Sequence, residues 1–293
     1  MSKKIKNRQK QNLKRTIKQK KRQVKLKQQA FSRRPNSQSD VEEMVDHAME
    51  KVEAGDLIGG ARILDRLKKK HKNHSHVIYG LGVLSAFSND IDDAIRFFEL
   101  ATQIEPTFAA AHYNLAVAYQ KLLKVPEMIR TYRKVIQIGD SNHYFVNDAK
   151  DCLEKMEQHM RESNGIGLDE FLEGNRIFEQ GMKYMESGDW EAAIIEFERS
   201  IKIAPNYIQP YGNIGICYAS LGKKQQALDA FDKALELDPS YEPAMLNRKL
   251  VESLKEGERL TLKVKAIEYY KDYALTDRSY VKDYLVKNNG VAS

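Results

Sequence analysis

The sequence predicts an all-α protein built from repeated helical hairpins, and three observations support this fold class. Seven Pro and sixteen Gly are few for a β-rich chain of 293 residues. Ala, Leu, Lys, Glu and Gln recur in periodic runs that are typical of helices. Three segments of 34 residues also align without gaps, at residues 75–108, 174–207 and 208–241. A fixed period of this length predicts a stacked array of helix pairs.

The aligned segments agree at four positions that have a physical meaning in a hairpin. A glycine allows close approach where two helices cross, and an alanine follows twelve residues later. The next aromatic is predicted to fill the space between neighbouring hairpins, and a proline stops the second helix. In chain order the four sets are Gly82, Gly181 and Gly215; Ala94, Ala193 and Ala227; Phe98, Phe197 and Phe231; and Pro106, Pro205 and Pro239.

This pattern resembles the tetratricopeptide-repeat family over the full length of each segment. The resemblance implies helix-turn-helix units, with glycine turns at Gly188 and Gly222 and helix starts near Pro210 and Pro243. Two weaker repeats are predicted at 109–142, where Met128 replaces the small residue, and at 41–74. Both lack the closing proline.

Beyond these repeats the organisation is predicted in two blocks with tails. Each block is expected to end in a capping helix, since the last unit of such an array needs a polar outer face. A break at Ser163–Gly167 is predicted to separate the blocks. The predicted boundaries are a basic tail at 1–40, disordered or helical; block one at 41–162 with capping helix 143–160; block two at 168–256 with capping helix 242–254; and a Tyr-rich helical segment at 257–293.

The resemblance places the first helix of each unit along a concave groove that binds a partner's peptide or helix. Packing of these apolar residues against a neighbouring helix or the other block is the alternative. The predicted groove residues are Tyr79, Val83, Phe87, Tyr113, Asn114, Val117, Phe178, Met182, Asn213 and Ile216.

The family's carboxylate clamp for chaperone tails is not expected in either block. That clamp needs Lys and Asn on one helix, Asn on the next, and Lys with Arg on the third. Only the central Asn is matched, by Asn114 in block one and by Asn213 in block two. Phe178, Met182 and Pro243 occupy positions where the clamp needs polar or charged groups.

Sites for catalysis, metals and cofactors are not predicted. No phosphate loop, nucleophile arrangement or paired-carboxylate cleft is recognisable, so the protein is not expected to be an enzyme. His71, His74 and His76 are interpreted as solvated turn residues, because their surroundings are rich in lysine. Cys152 and Cys217 are expected to be small core residues in a reducing compartment.

The N-terminal tail carries a separate signal in its charge. Residues 1–35 contain fifteen Lys or Arg and no acid, and removing those from the chain's 48 basic residues leaves 33 against 41 acidic residues. The residues predicted to bind a polyanion are Lys14, Arg15, Lys18, Lys20, Lys21, Arg22 and Lys25. RNA or the ribosome is the expected target, through counterion release. The alternatives are a solubilising arm, an electrostatic contact with an acidic protein surface, and a nuclear-import signal.

The sequence therefore predicts a non-enzymatic scaffold that holds a partner peptide or helix in its groove. A factor associated with RNA or the ribosome through its basic tail is the alternative. With no secretory signal and no apolar run of membrane-spanning length, a cytoplasmic location is expected, or a nuclear one for a eukaryotic source. Neither a membrane partner nor an oligomeric state is predicted.

Overall fold

The computed structural model describes residues 38–261, which contain twelve α-helices and no strand. The all-α fold class is therefore confirmed. The helices are α1 Gln38–Glu53, α2 Leu57–Lys70, α3 Ser75–Phe87, α4 Ile91–Ile104, α5 Ala109–Lys121, α6 Val125–Ile138, α7 Tyr144–Asn164, α8 Leu168–Ser187, α9 Trp190–Ile203, α10 Gln209–Ser220, α11 Lys224–Leu237 and α12 Glu242–Glu252.

The chain divides into two compact units, 1–106 and 107–293. In the first unit α1 pairs with α2 and α3 pairs with α4. In the second unit the pairs are α5 with α6, α8 with α9 and α10 with α11. The boundary at Pro106 lies inside the first predicted block, and the two-block scheme with its two capping helices stays a prediction.

Each of the three strict repeats is closed by a glycine that touches an aromatic ring. A Cβ atom added to Gly82 would lie 2.5 Å from the ring of Phe98, and at Gly181 and Gly215 it would lie 2.7 and 2.6 Å from the rings of Phe197 and Phe231. Both partners belong to the same hairpin. The prediction that the aromatic fills the space between neighbouring hairpins was therefore wrong about this contact, because the missing Cβ leaves room for the ring inside its own helix pair.

The turns between paired helices repeat one backbone conformation. Gly188 and Gly222 have φ of +78° and +74°, which confirms their predicted role as turn glycines. The other hairpins have the same conformation at Gly55, Asn89 and Leu123, each 34 residues after the last. Leucine rarely adopts positive φ, so the packing of the hairpin determines this geometry even where the residue opposes it.

The turn between α7 and α8 is fixed by several hydrogen bonds. Gly165 ends α7 with φ +73°, and the amide of Leu168 donates to the Glu157 carboxylate at 2.7 Å. The amide of Gly167 donates to Glu170 Oε2 at 3.1 Å, and Ile166 is buried. The predicted break in helix is present, as a capped turn with an apolar anchor.

Two further features of the described residues bear on class. Cys152 and Cys217 are 3% and 0% exposed, which confirms their prediction as core residues. Within 38–261, no helix combines the length and the hydrophobicity that a membrane crossing requires.

Candidate binding site

The first helices of the two strict repeats in the second unit, α8 and α10, carry equivalent residues 34 positions apart. Asn175 corresponds to Gln209, Glu179 to Asn213, and Met182 to Ile216. Asn213 lies two residues before Gly215, which contacts α11 through Phe231. Since two residues turn a helix through about 200°, Asn213 lies on the side of α10 away from α11. Its Nδ2 is 3.4 Å from Met182 Sδ, so this side of α10 faces α8.

Three amide side chains on these helices are almost completely buried, and we call Asn175, Gln209 and Asn213 the amide row. Asn175 and Asn213 are 0% exposed, and Gln209 is 3% exposed. Asn175 Nδ2 donates to Glu179 Oε1 at 2.9 Å. An ionised carboxylate and a thioether sulfur can only accept, so Glu179 and Met182 fix both asparagines with their oxygens pointing away.

The oxygens of the amide row lack hydrogen-bond partners among residues 38–261. This holds for Asn175 Oδ1, Gln209 Oε1 and Asn213 Oδ1. A buried polar group without a partner costs about 1–3 kcal/mol, and such groups are rare in folded proteins. A chain that retains three of them on neighbouring helices therefore has a place where a donor would be stabilised.

The surroundings strengthen this preference for donors. Helix α10 contains no charged residue, and Cys217 on the same helix is buried, which raises the pKa of its thiol to about 12. In such a dry setting hydrogen bonds are strong and an unpaired anion is costly. The amide row can accept hydrogen bonds from backbone N–H, hydroxyl or ammonium groups, whereas carboxylate oxygens would face its acceptors.

Of the predicted groove residues, three lie in the first unit. Tyr79 is half-buried with its ring 5.8 Å from that of Phe98, and Val83 is 7% exposed. Phe87, at the end of α3, is 52% exposed. The other seven lie in the second unit, so the residues assigned to block one are divided between the two units.

In the second unit, Tyr113 is held by the face of α7. Its hydroxyl donates to Asp148 Oδ2 at 2.7 Å, and its ring lies 5.8 Å from that of Phe145. Burial and the Asp148 carboxylate raise the pKa of Tyr113 well above its usual value. Asn114 and Val117, on the same helix, are half-buried.

The remaining predicted residues lie on or beside the amide row. Asn213 and Met182 are brought together, and Ile216 is 1% exposed one turn further along α10. Phe178 is also 1% exposed, and its ring is 5.2 Å from that of Phe197. Phe178 therefore packs within its own hairpin.

Sequence reasoning missed two members of the amide row. Asn175 and Gln209 were not selected because the prediction took a single amide per block. The available signal was their register, since both occupy the same repeat position as each other, four residues before Glu179 and Asn213. Polar residues repeated at a position that the period buries indicate a polar contact.

The three histidines at the joint between α2 and α3 are less exposed than predicted. His71, His74 and His76 are half-buried, and both ring nitrogens of His74 are buried without a hydrogen-bond partner within 38–261. The interpretation as solvated turn residues was therefore wrong, because the joint closes around them. Burial, with His76 nearby, lowers the pKa of His74. Among the described residues, no three His, Cys, Asp or Glu side chains are arranged to hold a metal ion.

The predicted polyanion-binding residues, Lys14 to Lys25, lie outside the described residues, as do the C-terminal tyrosines.

The repeat itself can be compared with known proteins. A family model for the tetratricopeptide repeat matches residues 208–241, the segment that forms α10 and α11. The chain is a tetratricopeptide-repeat protein. The matched bounds are those of the third segment in the gapless alignment.

Two curated relatives illustrate which tetratricopeptide-repeat proteins this chain is similar to. Hsp70-Hsp90 organizing protein 3 of Arabidopsis thaliana is 32% identical over 96 residues, which cover 33% of this chain and 16% of that protein. Superkiller protein 3 of Schizosaccharomyces pombe is 22% identical over 180 residues, covering 55% of this chain and 12% of that protein. The matches thus span less than a fifth of either relative.

Among solved structures, the chain resembles the TPR2AB domain of yeast Sti1 in complex with an HSP90 peptide, at TM-score 0.37 and 16% identity. That match covers 74% of this chain and 84% of the other. It also resembles the TPR domain of P58(IPK), at TM-score 0.38 and 17% identity, covering 73% and 64% of the two chains.

Proposed function

We propose that this tetratricopeptide-repeat protein is a non-enzymatic adaptor that holds a peptide or helix of a partner protein on the first helices of its repeats. The observation that carries the proposal is the amide row, whose three buried oxygens have no hydrogen-bond partner among residues 38–261. An extended segment or a helix end presents N–H groups that suit these oxygens.

The apolar neighbours supply the rest of the contact. Met182 and Ile216 lie beside the amide row on α8 and α10. On α12, Leu246 is 61% exposed and Met245 is 42% exposed. A partner that places donors on the amide row and apolar side chains along these residues would bury area on both kinds of surface.

The test begins by capturing a partner with the full chain and identifying it by mass spectrometry. Affinity is then compared by titration for the original chain, Asn213→Ala and Asn114→Ala. We expect a loss of about 1–3 kcal/mol, the cost of removing one side of a buried hydrogen bond. Circular dichroism should show unchanged helicity. Equal affinity for both variants and the original chain would refute the proposal.

Binding of the basic tail to RNA or the ribosome stays a separate prediction. It is supported by fifteen basic residues and no acid within residues 1–35. A contact of this kind weakens steeply as salt rises, because counterions are released on binding. RNA affinity that does not change with salt, or that survives neutralisation of Lys14 to Lys25, would contradict it.

A further inference from the structure

The described part of the chain ends against the helix that carries two members of the amide row. The amide of Leu260 donates to the carbonyl of Ala219 at 2.9 Å, and Leu260 is buried. Lys224 Nζ donates to the carbonyls of Glu252 and Leu254 at 2.8 and 2.6 Å. These bonds bring the chain back from the end of α12 to the C-terminal end of α10.

The 32 residues that follow, 262–293, are long enough to reach the amide row from this point. Ten residues of α10 separate Gln209 from Ala219, which corresponds to about 15 Å. A segment of 32 residues covers about 48 Å even if every residue is helical. Reach therefore does not limit contact with Gln209, Asn213 or Asn175.

The chemistry of residues 262–293 matches what the amide row lacks. The segment contains five tyrosines and six Lys or Arg, against four acids. Tyrosine hydroxyl, ammonium, guanidinium and backbone N–H groups are all donors. Val264, Ile267 and Ala274 supply apolar side chains at helical spacing. The amide row offers three acceptors beside Met182 and Ile216.

We propose that residues 262–293 dock on the amide row of their own unit, where their donors bond the oxygens of Asn175, Gln209 and Asn213. The segment then occupies the face assigned above to a partner, and a partner binds only by displacing it. This last consequence rests on the proposed function, whereas the docking itself does not. Docking also removes the cost of the three buried acceptors.

Amide hydrogen exchange of the intact chain, read by mass spectrometry, tests the docking. The reference is a synthetic peptide of residues 262–293 alone. The key variant is Asn175→Leu/Gln209→Met/Asn213→Leu, which keeps side-chain size and removes the acceptors. Its matched control is Asn247→Leu, the equivalent position on α12, where the asparagine is half-buried.

We expect residues 262–293 of the original chain to exchange at least about 10-fold more slowly than the free peptide. The triple variant should lose most of this protection while α10 remains protected, which shows that the fold is intact. Asn247→Leu should retain it. Protection that survives the triple variant, or exchange as fast as the free peptide, overturns the docking.

Two alternative occupants give distinct results. If a second copy supplied the segment, protection would fall as the protein is diluted, which overturns docking within one chain. If only an external partner uses the amide row, the segment would exchange freely while partner affinity still depends on Asn213. That outcome overturns the docking and leaves the proposed function standing.

Discussion

The repeat at 208–241 and the repeat at 109–142 have the same hairpin architecture but close it with different residues. In the first, Gly215 contacts the Phe231 ring and Gly222 makes the turn. In the second, Ala116 stands in place of the glycine, Tyr132 in place of the phenylalanine, and Leu123 makes the turn at φ +58°. The consensus residues are thus one solution to the hairpin, and a repeat that departs from them needs matched changes.

The joints that follow these repeats show the same substitution of means. Pro239 follows α11 in the strict repeat, whereas Asp140 takes that position after α6. The Asp140 carboxylate accepts from the amide of Asn142 at 2.9 Å, which turns the chain without a proline. A relaxed repeat therefore keeps its geometry through side-chain hydrogen bonds that local sequence can supply.

The largest expected effect is at the glycine–aromatic contact. Gly215→Ala would place a methyl 2.6 Å from the Phe231 ring. Overpacking costs about 1–3 kcal/mol and alanine returns roughly 1 kcal/mol of helix propensity, so we expect a net loss of about 1–2 kcal/mol. Urea unfolding followed by far-UV circular dichroism measures it.

The matched control is the reverse change in the relaxed repeat, Ala116→Gly. It should cost about 1 kcal/mol, because it removes a buried methyl and weakens the helix. In the strict repeat, Phe231→Leu added to Gly215→Ala should recover part of the loss through a favourable coupling between neighbours. Strictly additive effects would mean that the ring and the glycine are not matched to each other.

The next effect separates the turns. Gly188→Ala should destabilise by about 1 kcal/mol, because alanine disfavours φ of +78°. Gly222→Ala should cost more, since its Cβ would also lie 2.7 Å from the carbonyl oxygen of Gly257. Leu123→Gly should cost nothing, because the strain it relieves offsets the lost side chain. The same unfolding titrations rank the three, and a destabilised Leu123→Gly would refute the strain.

The sequence predicted most of the fold because the period acts on residues with one clear physical role. Glycines at turns and crossings, and prolines after helices, place the hairpins at 174–207 and 208–241. The direction in which Phe98, Phe197 and Phe231 pack was not predictable from their spacing, which fits contact inside or between hairpins. The amide row was missed because burial of Asn175 and Gln209 depends on neighbouring helices that are distant in sequence.

The smallest expected effect distinguishes the joint after the first relaxed repeat from the proline-closed joints. His74 is half-buried there, and burial lowers its pKa below the usual 6.5. His71, His76, Glu42 and Glu105 are the titratable groups around it. A group that is harder to protonate when folded stabilises the fold above its unfolded pKa. That stability is lost as pH falls below about 6.5, toward the lowered pKa of the folded state.

Unfolding titrations at pH 7.5, 6.5 and 5.5, roughly spanning the usual histidine pKa, test this for the original chain and for His74→Phe. The phenyl ring keeps the packing and cannot take up a proton. We expect the original chain to lose stability across this range and His74→Phe to lose less, while the two are similar at the highest pH. An unchanged pH slope would show that His74 accepts its proton without opening the joint, and that the relaxed joint is as insensitive to acid as those closed by Pro205 and Pro239.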